Sequence, residues 1–235
     1  MNKLLTTLFA LAVACVTSLV NAQAPAASAP AAAKAAAAAA PEPKSLEGKT
    51  AMCMGCHAIP RYQTNFPEVY KVPMIWGQGA GYIAAALTEY KTGGRKHPTM
   101  RAIATTLSDQ DIKDIAAYFS SHGKEDDGAI PDKLGKEPDA QVAPLLQKAA
   151  CVSCHGANLS KPIDPSYPKI AGQHADYLFV ALKAYKTDNN PIIGRTNPIM
   201  GAIAKQFSNA ELKALAAYVS SLPSELTVHP EDRFR

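Results

Sequence analysis

Apolar residues recur at helical spacing in two stretches of the chain that copy one another. Ile112, Ile115, Ala116 and Phe119 fall at i, i+3, i+4 and i+7, and Leu212, Leu215, Ala216 and Val219 repeat the stripe roughly a hundred residues later. Each stripe follows the same start signal, Ser108 with Asp111 and Ser208 with Glu211. This is the capping-box pattern that satisfies free amides at a helix N-terminus. A middle helix is predicted through Ile83, Leu87 and Tyr90 in one copy and through Leu178, Leu182 and Tyr185 in the other. Alternation of period two is nowhere sustained, so the predicted fold class is all-α.

The first residues follow a different pattern. Lys3 precedes an apolar run from Leu4 to Val20, and Val20-Asn21-Ala22 supplies small residues before Gln23, which predicts an export signal over residues 1–22 cleaved after Ala22. The run is near the length of a membrane span, so an uncleaved anchor stays open. Lipid attachment at Cys15, behind Leu11-Ala12-Val13-Ala14, stays open too. Residues 23–44 are mostly alanine, with Pro25, Pro30, Pro41 and Pro43 interrupting any helix and no periodic face to bury; they read as a tether.

Beyond the tether the repeat continues through short motifs. Cys53-Met54-Gly55-Cys56-His57 returns as Cys151-Val152-Ser153-Cys154-His155, and Pro73-Met74-Ile75-Trp76-Gly77-Gln78 returns as Pro168-Lys169-Ile170-Ala171-Gly172-Gln173. Gly94-Arg95-Lys96-His97-Pro98-Thr99-Met100 is matched by Gly194-Arg195-Thr196-Asn197-Pro198-Ile199-Met200. Two homologous domains are therefore predicted, 45–122 and 141–223, with an acidic, solvated connector at 123–140 and a C-terminal tail at 224–235. The whole chain has 235 residues and a net charge of +4, too small and dispersed a surplus for nucleic-acid binding. Much of its 47% hydrophobic content is the signal and the alanine run, which add nothing to either core. Each domain is near the size at which a polypeptide core alone is marginal.

The cysteines supply the chemistry. A Cys-x-x-Cys-His run sets two thiols to join the vinyl groups of one haem while the adjacent histidine reaches the iron. The run occurs twice in an exported chain, which predicts two covalently attached haem c groups, one per domain, held by Cys53 and Cys56 and by Cys151 and Cys154. A zinc site built from two Cys-x-x-Cys pairs needs them about 15 to 20 residues apart, far closer than these. A thioredoxin-like motif needs a βαβ context that is missing. His57 and His155 are the predicted proximal ligands. Met100 and Met200 are the only methionines at matching positions and are the predicted distal ligands, with His97 the rival to Met100. Met52, Met54 and Met74 read as packing or surface residues. Histidine plus methionine closes both axial positions and raises the potential, which suits one-electron transfer rather than turnover of a substrate.

In combination these motifs resemble cytochrome c4. The resemblance is carried in the second half by Cys151 to Gly156, Pro168 to Leu178, Asn197 to Met200 and Ala216 to Val219, and it covers about residues 45–223. The first half departs at Ala58, where the family has glycine, and at Trp76, where it tends to a small residue. The resemblance implies two class I cytochrome c domains about a pseudo-twofold axis, a periplasmic location and delivery of electrons towards a terminal oxidase. It also implies that the carbonyls of Pro73 and Pro168 accept from the haem histidines. Arg95 and Arg195 read either as partners of haem propionates or as solvated surface residues. Gln78, Gln173, Tyr82 and Tyr177 recur and are taken as packing or haem-edge contacts.

Three functions stay open at this point. The first is a carrier between a quinol-oxidising complex and an oxidase, the second an electron-accepting subunit of a periplasmic dehydrogenase, the third a dihaem peroxidase. Membrane association through a partner or an uncleaved N-terminus is compatible with the first two. The small net charge predicts weak salt dependence of the electron-transfer rate.

Overall fold

The computed structural model describes residues 45–123 and 130–230. The expected export signal and tether, part of the connector and the last five residues lie outside them. Among the described residues there are nine α-helices and four two-residue strands, and no helix is long and apolar enough to cross a membrane.

In the first half, α1 (Leu46–His57) starts where the Ser45 hydroxyl accepts the Gly48 N–H at 3.1 Å and ends on the Cys-x-x-Cys-His run. A hairpin of β1 (Gln63–Thr64) and β2 (Tyr70–Lys71) follows, then α2 (Ala80–Thr92), β3 (Arg95–Lys96), α3 (Pro98–Ala104) and α4 (Asp109–Ser121). Lys49 ties the first helix to the last, reaching Asp111 at 3.0 Å and Asp114 at 2.5 Å. In the second half the counterpart of α1 is split into α5 (Ala143–Ala149) and α6 (Val152–His155), separated at Ala150 with φ 48°. The order then repeats as α7 (Ala175–Ala184), β4 (Gly194–Arg195), α8 (Pro198–Ala204) and α9 (Asn209–Ser220). Both expected capping boxes form, at Ser108 with Asp111 and at Ser208 with Glu211.

Each half has its own core, built from the residues the periodicity selects. One contains Ile83, Leu87, Ile112, Ile115, Ala116 and Phe119, the other Leu178, Leu212, Leu215, Ala216 and Val219. Met54 is buried in the first core, whereas Met52 is 62% exposed. Trp76 stands edge-on to Phe119 with ring centroids 4.7 Å apart. At the same place in the second half, Ala171 and the smaller Val219 occupy the core.

The halves are joined by a two-stranded antiparallel sheet, β3 with β4, in which Arg95 faces Arg195 and Lys96 faces Gly194. Around it, Lys71 bonds Asp176 through both its ammonium (3.1 Å) and its backbone N–H (3.0 Å), and Lys183 pairs with Glu68. The pseudo-symmetric counterpart of Asp176 is Gly81, where a Cβ would lie 2.6 Å from the Pro165 carbonyl oxygen. Glycine there lets the second half's backbone approach.

Two segments are more engaged than a solvated strap and a tail. In the connector, the Pro131 carbonyl accepts from Asn158 at 2.9 Å and the Lys136 carbonyl accepts from the Tyr218 hydroxyl at 2.5 Å, so this stretch lies along the second half. Beyond α9 the chain crosses to the first half. The Thr227 N–H donates to the Trp76 carbonyl at 3.2 Å, Leu226 is buried, and His229 lies against the His122 carbonyl. Trp76 is where the two repeats differ most in side-chain volume, and the returning tail covers it.

Candidate cofactor sites

One cavity of about 600 Å³ runs between the halves, lined by Cys53, Cys56, His57 and Met100 from one and by Cys151, Cys154, His155 and Met200 from the other. No disulfide joins the four cysteines, so both pairs are available for covalent attachment of a cofactor.

The α1 and α6 segments put each histidine one residue beyond a thiol. His57 Nδ1 is 2.8 Å from the Pro73 carbonyl oxygen, and His155 Nδ1 is 2.9 Å from that of Pro168. A carbonyl only accepts, so each Nδ1 carries the proton and Nε2 keeps its lone pair. Burial lowers both imidazole pKa values, against the opposing pull of the proline carbonyls, and keeps the rings neutral. Neutral, oriented imidazole is the ligating form, and its second nitrogen is held by a backbone oxygen.

The methionines are brought to the same cavity by equivalent short helices. In α3, His97 is the N-cap and its Nδ1 accepts the Met100 N–H at 3.3 Å; in α8, Asn197 is the N-cap and its Oδ1 accepts the Met200 N–H at 3.0 Å. Pro98 and Pro198 follow the caps, where a missing amide donor is harmless. His97, a candidate ligand in the sequence, thus has the same capping task as Asn197.

Arg95 and Arg195 also line the cavity, and neither is a solvated surface residue. Arg95 is 5% exposed, paired with Glu89 and bonded to the Tyr82 hydroxyl at 3.1 Å. Arg195 donates to the Tyr177 hydroxyl at 3.0 Å and lies over the Tyr177 and Tyr185 rings. Tyr82 and Tyr177, left without a role in the sequence, hold the two guanidinium groups. Gln78 and Gln173, by contrast, bond across the interface as well as to the next backbone N–H in their own halves. Their recurrence was visible in the sequence, but the surface they would meet was not.

Ala58 differs from its counterpart for a backbone reason. Gly156 has φ 86°, and a Cβ there would sit 2.0 Å from the Lys161 carbonyl oxygen, whereas Ala58 closes α1 in the right-handed region at φ −92°. The chain leaves the two histidines by different routes, and only one needs glycine.

Paired thiols, an oriented imidazole and an apolar cavity fit haem c, and the helical arrangement, repeated, is that of a two-domain class I c-type cytochrome. The family model for cytochrome c matches residues 140–223. Cytochrome c4 of Stutzerimonas stutzeri is 34% identical over 188 residues, covering 75% of this chain and 87% of that protein. The crystal structure of reduced recombinant cytochrome c4 from Pseudomonas stutzeri superposes with a TM-score of 0.55 at 29% identity, over 76% of this chain and 97% of that one. A protein named thiosulfate dehydrogenase electron acceptor, from Stutzerimonas stutzeri (strain A1501), is 31% identical over 75% of this chain and 80% of its own length. The chain belongs to the cytochrome c4 family. It is an electron-transfer cytochrome with two covalently attached haem c groups, one per domain, at Cys53 and Cys56 and at Cys151 and Cys154.

Proposed function

We propose that this chain is a periplasmic carrier of single electrons between respiratory partners, from a quinol-oxidising complex towards a terminal oxidase, with domains at 45–122 and 141–223. When bound, each haem supplies an iron that changes oxidation state by one electron. In this reading His57 and Met100 ligate one iron and His155 and Met200 the other. The observation that carries it is the twofold recurrence of one arrangement, a histidine turned by a proline carbonyl and a methionine on a capped helix lining the same cavity.

The protein's own contribution is to hold the ligands. Pro73 and Pro168 fix the imidazoles, His97 and Asn197 fix the short helices that carry the methionines, and Arg95 and Arg195 offer guanidinium donors to haem propionates. A histidine and a methionine held at each haem would leave no open ligand position for peroxide, which opposes a peroxidase role.

The test is a redox-titrated optical spectrum of the holoprotein. Two low-spin haems with a methionine-to-iron charge-transfer band are expected. A high-spin component, or rapid carbon monoxide binding to the reduced protein, overturns the ligand assignment and the carrier reading with it. A second reading, an electron-accepting subunit docked to a periplasmic dehydrogenase, is favoured by the similarity to the thiosulfate dehydrogenase electron acceptor. Stoichiometric co-purification with a dehydrogenase selects it.

A further inference from the structure

Gln78 and Gln173 make the same three hydrogen bonds, two crossing the domain interface in opposite directions and one to the N–H of the next residue. Gln173 Oε1 accepts from the Met74 N–H at 3.0 Å and from the His174 N–H at 3.0 Å, while its Nε2 donates to the Met74 carbonyl at 2.8 Å. Gln78 Oε1 accepts from the Lys169 N–H at 2.9 Å and from the Gly79 N–H at 2.9 Å, while its Nε2 donates to the Lys169 carbonyl at 2.9 Å. Both side chains are buried, at 3% and 4% exposure. Reversing either amide would aim donors at backbone donors, so the orientation follows from the network.

Met74 and Lys169 are the residues directly after the two prolines that hold the haem histidines. The peptide group joining Pro73 to Met74 therefore accepts from His57 Nδ1 through its oxygen and donates to Gln173 through its nitrogen. The peptide joining Pro168 to Lys169 accepts from His155 and donates to Gln78. An amide whose N–H is engaged carries more negative charge on its oxygen, and chains of hydrogen bonds strengthen one another by roughly 10–30% per bond. The stronger acceptor draws the Nδ1 proton, makes the imidazole a better donor and favours the ferric iron.

We propose that Gln78 and Gln173 are positioning residues that act in trans, each tuning the histidine ligand of the opposite domain's haem. The reduction potential of either haem then depends on contact with the other half of the molecule, and a partner that shifts the interface shifts both potentials. This inference rests on His57 and His155 being the axial ligands.

The test uses the holoprotein and two substitutions of similar shape that cannot hydrogen-bond, Gln173→Met and Gln78→Met. Gln173→Met should raise the potential of the haem in the first domain only and move the His57 Nδ1–H resonance upfield in the reduced state. Gln78→Met should do the same to the second domain's haem and to His155. Effects confined to the glutamine's own domain, or absent from both haems, overturn the proposal. A loosened interface opens both haem crevices, so equal shifts of both potentials in both variants overturn it as well. Ring protons of His57 and His155 in the unsubstituted protein separate this from the underlying reading. If these protons lack the haem ring-current shift the axial assignment itself has failed; if they have it and the variants leave them unmoved, only the trans effect has.

Discussion

His97 caps the helix that carries Met100, its Nδ1 accepting the Met100 N–H, and Asn197 stands in the same relation to Met200. Removing the cap in His97→Ala should destabilise the protein by about 1 kcal/mol and weaken the methionine charge-transfer band of the first domain. His97→Asn, which copies the second domain, should restore both. Denaturant unfolding followed with the optical spectrum checks this. If His97→Asn abolishes the first domain's low-spin signal, His97 is a ligand and not a cap.

Gly156 and Ala58 occupy equivalent places but should respond unequally to exchange. Gly156→Ala sets a Cβ against the Lys161 carbonyl at a positive φ, so it should prevent the second haem from being stably held. Ala58→Gly, in a right-handed conformation, should cost only about 0.5–1 kcal/mol. Haem content per chain and thermal unfolding of the two variants give the comparison.

The tail beyond α9 should behave as part of the first domain. Leu226→Ala removes a buried side chain and should destabilise by about 2–4 kcal/mol. Thr227→Pro deletes the donor to the Trp76 carbonyl and should expose Trp76, the only tryptophan in the chain. Near-ultraviolet dichroism of the indole is the readout, and an unchanged spectrum would show that the tail does not cover it.

Acid should act through the cap of α4. Hydrogen bonds from Ser108, and then from Lys49, pull the Asp111 carboxyl down to about 2, below its ordinary value near 3.8. A depressed carboxylate contributes stability above its unfolded pKa and loses it as the pH falls through the folded one. The stability difference between the parent protein and Asp111→Asn should therefore be full above about pH 4 and gone near pH 2. A difference that persists unchanged to pH 2 would refute the assignment.

The helical stripes, both capping boxes and both haem attachment runs are local in the chain, and they were legible as such. Ile112 to Phe119 and Leu212 to Val219 line the cores because 3.6-residue periodicity allows one buried face. The methionines stood out as candidates because the repeat supplied a second copy to compare, and both line the cavity. His97 was not legible as a cap, since histidine is not among the residues that favour the N-cap position. Arg95 and Arg195 read as well as surface residues as buried ones, because burial of a charge depends on partners that arrive from elsewhere, here Tyr82, Glu89 and Tyr177.

By itself, the sequence determined where the two haem attachment runs lie and nominated the histidines and methionines as ligands, along with the middle and terminal helices of each half. These follow from spacing along one chain. Only the tertiary structure decided that Gln78 and Gln173 reach across to the opposite domain's proline turn, that the tail returns to Trp76, and that one half needs glycine after its histidine while the other accepts alanine. Each of these depends on which backbone atoms come within about 3 Å of each other after folding. The residues that meet there lie far apart in the chain, and no local pattern encodes the meeting.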